Sequence, residues 1–538
     1  MRSRGARVRS IGPVKRVSAL ALTAVVGVLA TGTTPVPAFA QDTQPPGEGF
    51  YAKPPPVVPA MLPKPSGRPD QPYRQSVECV TRDLDRNVDL PNTPWGQRYL
   101  RLDAVHQLME GTMGSAGRDS EGNPIRVAVI DTGIAAGHPY FAGRVKPGAD
   151  YVTVEQDAPG LADCDGHGTE VAGIIAASTP HDIGFKGVAP DAEIVSIRQS
   201  SQNYEPDDSG AAQQSSQDRP PPEESQGDGE SGQDGEDEST GSSQRGDGRS
   251  QGEEGSAGTL DTLAQAVVQA THMGVDVMNI SINNCRPANG GITPGEQALQ
   301  AAVRNAVDQD VVVVTAAGNI GEDCQQNDQS DATMPRSVVT PPWFADDVLS
   351  VAAIDESGGV ADFSVRGPWI SVAAPGTKII SVDPAEGSTG LANMTVEGGE
   401  TKPIQGTSFA APYVTGLAAL VRAKYPHLSA RQVMNRITST AQHPAAPGGR
   451  DNFVGYGVID PMAALTAMVP EEEGLADASA VALPSDMPPG DDGSSMPMIV
   501  ALTGSGGALA ALLVALFVTH TIRRNRTELP RPPDSHRN

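Results

Sequence analysis

Short apolar runs, separated by segments of helical periodicity, constrain this chain more than any other feature of its sequence. Ile125–Ile130 (IRVAVI), Glu193–Ile197, Val275–Ile280 (VDVMNI), Val311–Thr315 and Val348–Ile354 are such runs, rich in β-branched residues. They are apolar nearly throughout rather than alternating, which is the pattern of strands buried on both faces. Between them Asp261–Met273 and Gln297–Val307 read as helices, the first closed by Gly274 in a C-cap position. Strands and helices in this order predict an α/β body, a mostly parallel sheet covered by helices. The body is expected to begin near Pro94-Trp95-Gly96 and to run over 94–468.

The rest of the chain has other chemistry. Of 538 residues 59 are Gly, 47 are Pro and only 4% are aromatic, so much of the length is not packing a core. Arg2, Arg4, Arg7, Arg9, Lys15 and Arg16 precede the apolar stretch Val17–Ala30 and the small-x-small site Ala38-Phe39-Ala40. This predicts a secretory signal over 1–40; the alternative, an uncleaved anchor, is short of the roughly 20 residues a span needs. Residues 41–93 form a Pro-rich extension with Pro54-Pro55-Pro56, Pro59, Pro63 and Pro65, favouring extended chain. Such a segment is usually a linker, but Cys79 points to a staple on the body.

Residues 199–258 read as a disordered acidic insertion. From Ser201 to Gly258 there are 15 acidic and 3 basic residues, −12 of the chain's net −26. Too little apolar surface is available there to offset the ordering entropy. A solvated spacer and a docking or self-processing loop are both open readings. After an acidic Pro/Gly linker over 469–497, Met498–Thr519 carries no charge, and at about 1.5 Å per residue it spans roughly 33 Å. Arg523, Arg524 and Arg526 then place the tail, 520–538, in the cytoplasm. The expectation is an exported protein at the cell membrane, single-pass, with its body on the extracytoplasmic side. Its acidity argues against nucleic acid as a partner.

In that compartment cysteines oxidise. Cys79, Cys164, Cys285 and Cys324 contain no C-x-x-C pair, so structural zinc is not expected. Four cysteines allow three connectivities. Cys285 and Cys324 each follow a strand-like run, which favours Cys285–Cys324 with Cys79–Cys164 over the other two. No acidic cage stands out within the body, and neither a metal nor a cofactor is expected.

Three motifs carry chemistry. Val127-Ala128-Val129-Ile130-Asp131-Thr132-Gly133 delivers an acid at the C-terminal end of a buried strand, the sheet edge where catalytic groups gather. Asp-Thr-Gly also occurs in aspartic proteases, but those need two carboxylates and the sequence has no second copy. Asp165-Gly166-His167-Gly168-Thr169-Glu170 sets a His between glycines at a helix start, where the backbone turns sharply and leaves the imidazole uncovered. Gly406-Thr407-Ser408-Phe409-Ala410-Ala411-Pro412 sets Ser408 at a helix N-terminus, where free N–H groups favour negative charge. Together they supply an acid to orient a base, a base to take a proton and a hydroxyl to attack a carbonyl. Asn319, in Ala316-Ala317-Gly318-Asn319 after Val311–Thr315, is a candidate donor to the tetrahedral oxyanion.

The order Asp131, His167, Asn319, Ser408 resembles the subtilisin-like serine proteases over roughly Pro94 to Met468, and Gly455-Tyr456-Gly457-Val458-Ile459-Asp460 is similar to that family's closing segment. The whole-chain layout is similar to the mycosins, membrane-anchored subtilases of type VII secretion systems. The resemblance implies a three-layer subtilisin-like fold, an extension that wraps the body without blocking it, and secretion-complex components as partners beside a protein substrate. It also implies that Ser281, Ile282 and Asn283 line the first specificity pocket. Where the family has small Gly-rich residues, Ser281-Ile282-Asn283-Asn284-Cys285 offers two Asn and a Cys, so a polar-walled pocket and few substrates are expected. The expected activity is that of a serine endopeptidase; the rival is a structural subunit of a secretion complex, and a weaker one a tethered binding protein.

Overall fold

The computed structural model describes residues 52–154, 157–207, 256–321, 324–329, 333–397, 399–473 and 496–526. The expected signal, most of the acidic insertion and most of the acidic linker lie outside them. The described chain divides into two units, Met1–Ala467 and Met468–Asn538.

The first unit is built on seven parallel strands: β1 (Arg126–Asp131), β2 (Val145–Asp150), β3 (Glu193–Arg198), β4 (Val277–Ile280), β5 (Val312–Ala316), β6 (Leu349–Ile354) and β7 (Val372–Pro375). Their spatial order is 7-6-5-4-1-3-2. The five expected runs are β1, β3, β4, β5 and β6, with ends displaced by at most two residues; three of them are buried along their whole length, and β1 and β3 at every residue but the first. The two strands that the apolar runs did not reveal are the sheet's edges. β2 reads Val-Lys-Pro-Gly-Ala-Asp, and proline is tolerated at an edge because it has no N–H to give to the ladder.

Four helices complete the layers that matter for the site: α1 (His167–Ala176), α2 (Leu260–His272), α3 (Pro294–Asp308) and α4 (Thr407–Lys424). α2 packs on α3, and α1 packs on α4, which lies along β4, β5, β6 and β7. α3 starts one turn before the expected Gln297, because Thr293 and Glu296 close a capping box. All ten residues of α1 are buried, as is every residue of α4 except Lys424.

The extension lies against the body. Gln300 donates to the carbonyl of Pro55 at 2.8 Å. Tyr73–Gln75 pairs antiparallel with Tyr204–Pro206, and Arg82–Asp83 pairs with Met394–Glu397. The disulfides are Cys79–Cys164 and Cys285–Cys324, with Cα–Cα distances of 4.4 and 5.5 Å, the favoured pairing.

The acidic insertion needs a correction at its edges. Composition predicts an unstructured segment from Gln199 to Gly258, yet 199–207 and 256–258 are folded. Gln199 is buried and donates to Thr259 O and Thr262 Oγ1, while Ser201 pairs with Ala257. Polar composition misleads here because these polar groups make buried hydrogen bonds instead of meeting water.

In the second unit, the helix Met496–Arg526 contains Ser505–Arg524, which is long and apolar enough to cross a membrane by length and composition. The expected span, 498–519, falls inside this helix.

Candidate active site

Asp131 is the last residue of β1 and His167 the first of α1, and the sequence between them closes onto one polar knot. His167 Nδ1 lies 2.7 Å from Asp131 Oδ1, and both side chains are almost wholly buried. The same oxygen accepts from the backbone N–H of Thr132 at 2.8 Å. Gly168 lets the helix start come this close: a Cβ there would stand 2.1 Å from the carbonyl oxygen of Gly133.

Asp163 ties strand end to helix start. Its carboxylate accepts from Thr132 Oγ1 and the N–H of Gly166, both at 2.8 Å, and from the N–H and hydroxyl of Thr169 at 2.8 and 2.6 Å. Burial pushes its carboxyl above the ordinary carboxylate range, with the hydrogen bonds from Thr169 and Thr132 opposing. Thr132 in turn accepts from the N–H of Gly168 at 3.0 Å. The acid and the imidazole are therefore held from both sides by a third group.

Ser408 stands in the first turn of α4, as its motif predicts. The next residue, Phe409, sets its ring 5.0 Å from the His167 imidazole. The imidazole is 2% exposed, which corrects the expectation that flanking glycines leave it uncovered: Phe409 supplies a cover that no local motif encodes. Among the described residues Ser408 Oγ makes no hydrogen bond. Nucleophile–base contacts are commonly long without substrate and tighten when it binds.

Pro412 explains one feature of this turn. A proline cannot donate to the carbonyl four residues back, and that carbonyl belongs to Ser408. Ser281 makes up the loss, its hydroxyl donating to Ser408 O at 2.9 Å. Ser281 is itself held by Asn279 Nδ2 at 2.8 Å, and Asn279 Oδ1 accepts from Thr415 of α4 at 2.8 Å.

Asn319 follows β5. Its Oδ1 accepts from the N–H and hydroxyl of Thr407 at 3.0 and 3.1 Å, which turns Nδ2 the other way. A Cβ placed on Gly406 would meet both Ser408 Oγ, at 2.9 Å, and Asn319 Nδ2, at 3.6 Å. Hydroxyl and amide donor thus flank one point of the backbone. Ser281, Ile282 and Asn283 continue from β4 and are buried, and Asn283 Oδ1 lies beside Gly318, 3.6 Å from where a Cβ on that glycine would stand. Among the described residues no group of three or more His, Cys, Asp or Glu side chains is placed to hold a metal ion.

Strand-end acid, helix-start histidine and helix-start serine on one parallel sheet are the arrangement of a serine hydrolase of the subtilisin kind. The subtilase family matches residues 122–457. Mycosin-1 of Mycobacterium tuberculosis is 38% identical over 475 residues, covering 86% of this chain and 93% of the relative. The chain belongs to the subtilase family, and within it to the mycosins. Mycosin-3 of the same organism is 36% identical, covering 88% of this chain and 94% of its own. Among solved structures, a serine protease MycP1, described as an essential component of the type VII (ESX-1) secretion system, is 35% identical with a TM-score of 0.62, covering 77% of this chain and 100% of its own. A chain of an intact ESX-5 inner membrane complex is 35% identical with the same TM-score, 0.62, covering 87% and 100%. This mycosin is a subtilisin-like serine endopeptidase.

Sequence reading missed Asp163, Thr132, Thr407 and Arg82 of this mycosin. Only Glu170 left a visible signal, an acid in a fully buried helix whose later turns are apolar.

Proposed function

We propose that this chain is a membrane-anchored endopeptidase that cleaves a narrow set of secreted proteins in a type VII secretion context. Ser408 is the nucleophile, His167 the general base and then acid, Asp131 its orienter, and Asn319 the oxyanion donor. The buried 2.7 Å contact between His167 and Asp131, facing the start of α4, carries the assignment. Asp131 fixes the imidazole with Nδ1 as donor, so Nε2 is the nitrogen left to take the Ser408 proton. Ser408 Oγ then attacks the scissile carbonyl, and the negative oxygen meets Asn319 Nδ2. The imidazolium returns its proton to the leaving amine, and water repeats the sequence to release the acyl group. Ser281, Ile282 and Asn283 form the wall of the first specificity pocket, and its polarity underlies the narrow substrate set.

The helix Ser505–Arg524 supports one membrane crossing, and the arginines after it support a cytoplasmic tail. The body is then extracytoplasmic, where its two disulfides form. The domain plan follows: signal 1–40, extension 41–93, peptidase body 94–468, linker 469–497, span and tail.

A fluorophosphonate probe tests the nucleophile without knowledge of the substrate. Labelling of the parent and none of Ser408→Ala is the expected result; equal labelling of both would reject the assignment. A second reading, a structural subunit whose proteolysis is secondary, draws on the likeness to a chain within the ESX-5 complex. Secretion that continues undiminished with Ser408→Ala would favour that reading.

A further inference from the structure

Helix α1 carries a charge that its surroundings do not solvate. Glu170, in its first turn, is fully buried, and the residues after it are apolar. An ionised carboxylate in such a place needs a partner or it takes up a proton. The partner comes from the extension. Arg82, its side chain 3% exposed, donates from Nε to Glu170 Oε1 at 2.6 Å and from Nη2 to Oε2 at 3.4 Å. Nη2 also reaches the carbonyl of Asp165 at 3.3 Å, and Nη1 donates to Thr395 Oγ1 at 3.1 Å. One guanidinium therefore grips the first turn of α1 and the residue two places before His167.

The grip is well anchored. Cys79 is disulfide-bonded to Cys164, Val80 donates to the carbonyl of Cys164 at 2.9 Å, and Arg82 is paired with Thr395 in a strand register. His167 and Glu170 are three residues apart on α1, a spacing that puts Cβ atoms on one face roughly 5–6 Å apart. The charged groups tied to His167 and its flanking residues are Asp131 from β1, Asp163 and Asp165 from the lead-in to α1, Glu170 from α1, and Arg82. Arg198, level with Asp131 on β3, is paired with Asp150. Among the groups tied to His167 and its flanking residues, Arg82 is the cation, and it sits against the acid three residues along α1 from the imidazole.

We propose that Arg82 is a positioning residue: the extension supplies the positive charge that neutralises Glu170 and fixes α1, and through it His167, for catalysis. The proposal rests on the reading of His167 as general base. It gives the extension a part in the reaction without contact with substrate.

The test uses the full-length protein in detergent and the rate of fluorophosphonate labelling as a function of pH. In Arg82→Met the buried Glu170 takes up a proton more readily, and wherever it remains ionised its unbalanced charge beside the imidazole raises the pH at which His167 gives up its proton. The acid limb should move to higher pH, and on that limb each unit of displacement lowers the rate at a fixed pH by about tenfold. Arg82→Lys keeps the charge without the fork and should fall between parent and Arg82→Met. The decisive variant is Arg82→Met with Glu170→Gln, where neither charge remains; limb and rate should return close to the parent. Arg82→Met matching the parent in rate and limb would overturn the proposal, and so would a folded double variant no faster than the single one. If Arg82→Met does not fold, the double variant decides: labelling near the parent rate supports the pair, and loss in a folded sample overturns it. A parent that is not labelled at all rejects the serine-protease assignment itself, a separate failure.

Discussion

A carboxamide that serves an oxyanion has to present its N–H groups and not its oxygen, and the two bonds from Thr407 to Oδ1 fix that orientation for Asn319, the proposed donor. Asn319→Ala should lower kcat by about 10²–10³ with KM near the parent value, measured on a peptide substrate. A parallel rise in KM instead would mean that Asn319 binds the ground state equally. Ser281→Ala leaves the Ser408 carbonyl without its donor, because Pro412 cannot replace it; stability should fall by about 1–3 kcal/mol in denaturant titration. An unchanged midpoint would show that water fills the role. The placement of Asp131, His167, Asn319 and Ser408 at strand ends and helix starts was legible because each sits in a motif whose spacing implies an element boundary. Asp163 and Arg82 were not, since their partners lie on chain segments that only the fold brings together. Local sequence places Ser281 only after a strand; its hydrogen bond to Ser408 O answers a proline in another element.

At the level of elements, helix α4 reverses a rule of thumb. A glycine inside a helix costs roughly 1 kcal/mol relative to alanine, so Gly416→Ala would be expected to stabilise from sequence alone. Here a Cβ would stand 2.5 Å from Val188 Cβ, and Val188 is buried and held by Ile174 O. The substitution should therefore destabilise by about 1–3 kcal/mol; a raised unfolding midpoint would show that Val188 yields. The central strands were legible for the same reason that α4 is tightly packed: a sheet covered on both sides demands unbroken apolar runs. The edge strands escaped because that demand is relaxed there, and β2 even carries Pro147 and Gly148. The short extension strands, Tyr73–Gln75 and Arg82–Asp83, have no periodicity to read, since their pairing is written in the body.

For the whole molecule, pH is one global probe. His138 is buried with Nδ1 accepting from the N–H of Tyr140, and His106 is buried against the carbonyl of Val188. Burial pulls both below the ordinary histidine value. A base lowered in the folded state is protonated first in the unfolded chain, so its contribution is full above about pH 6.5 and is lost as pH falls toward the folded value. Tm should drop between pH 6.5 and pH 5, and His138→Asn, which keeps an acceptor for Tyr140, should shrink the drop. A second probe is the acidic stretch 208–255. Its flanks already meet, with Ser201 bridged to Ala257 and Ala257 donating to Tyr204 O at 3.1 Å. Replacing 208–255 by a short Gly-Ser linker should leave fluorophosphonate labelling intact; lost labelling would assign the stretch a part in the site.

The strap that holds α1 also sets a schedule. Arg82 is made early, yet Thr395, which its Nη1 binds, lies 313 residues further along the chain. A ribosome has to complete most of the body before that contact can form, and contacts so distant in sequence form slowly. A chain cut short before Thr395 lacks that contact and Ser408, the proposed nucleophile, as well, and should take up no fluorophosphonate label.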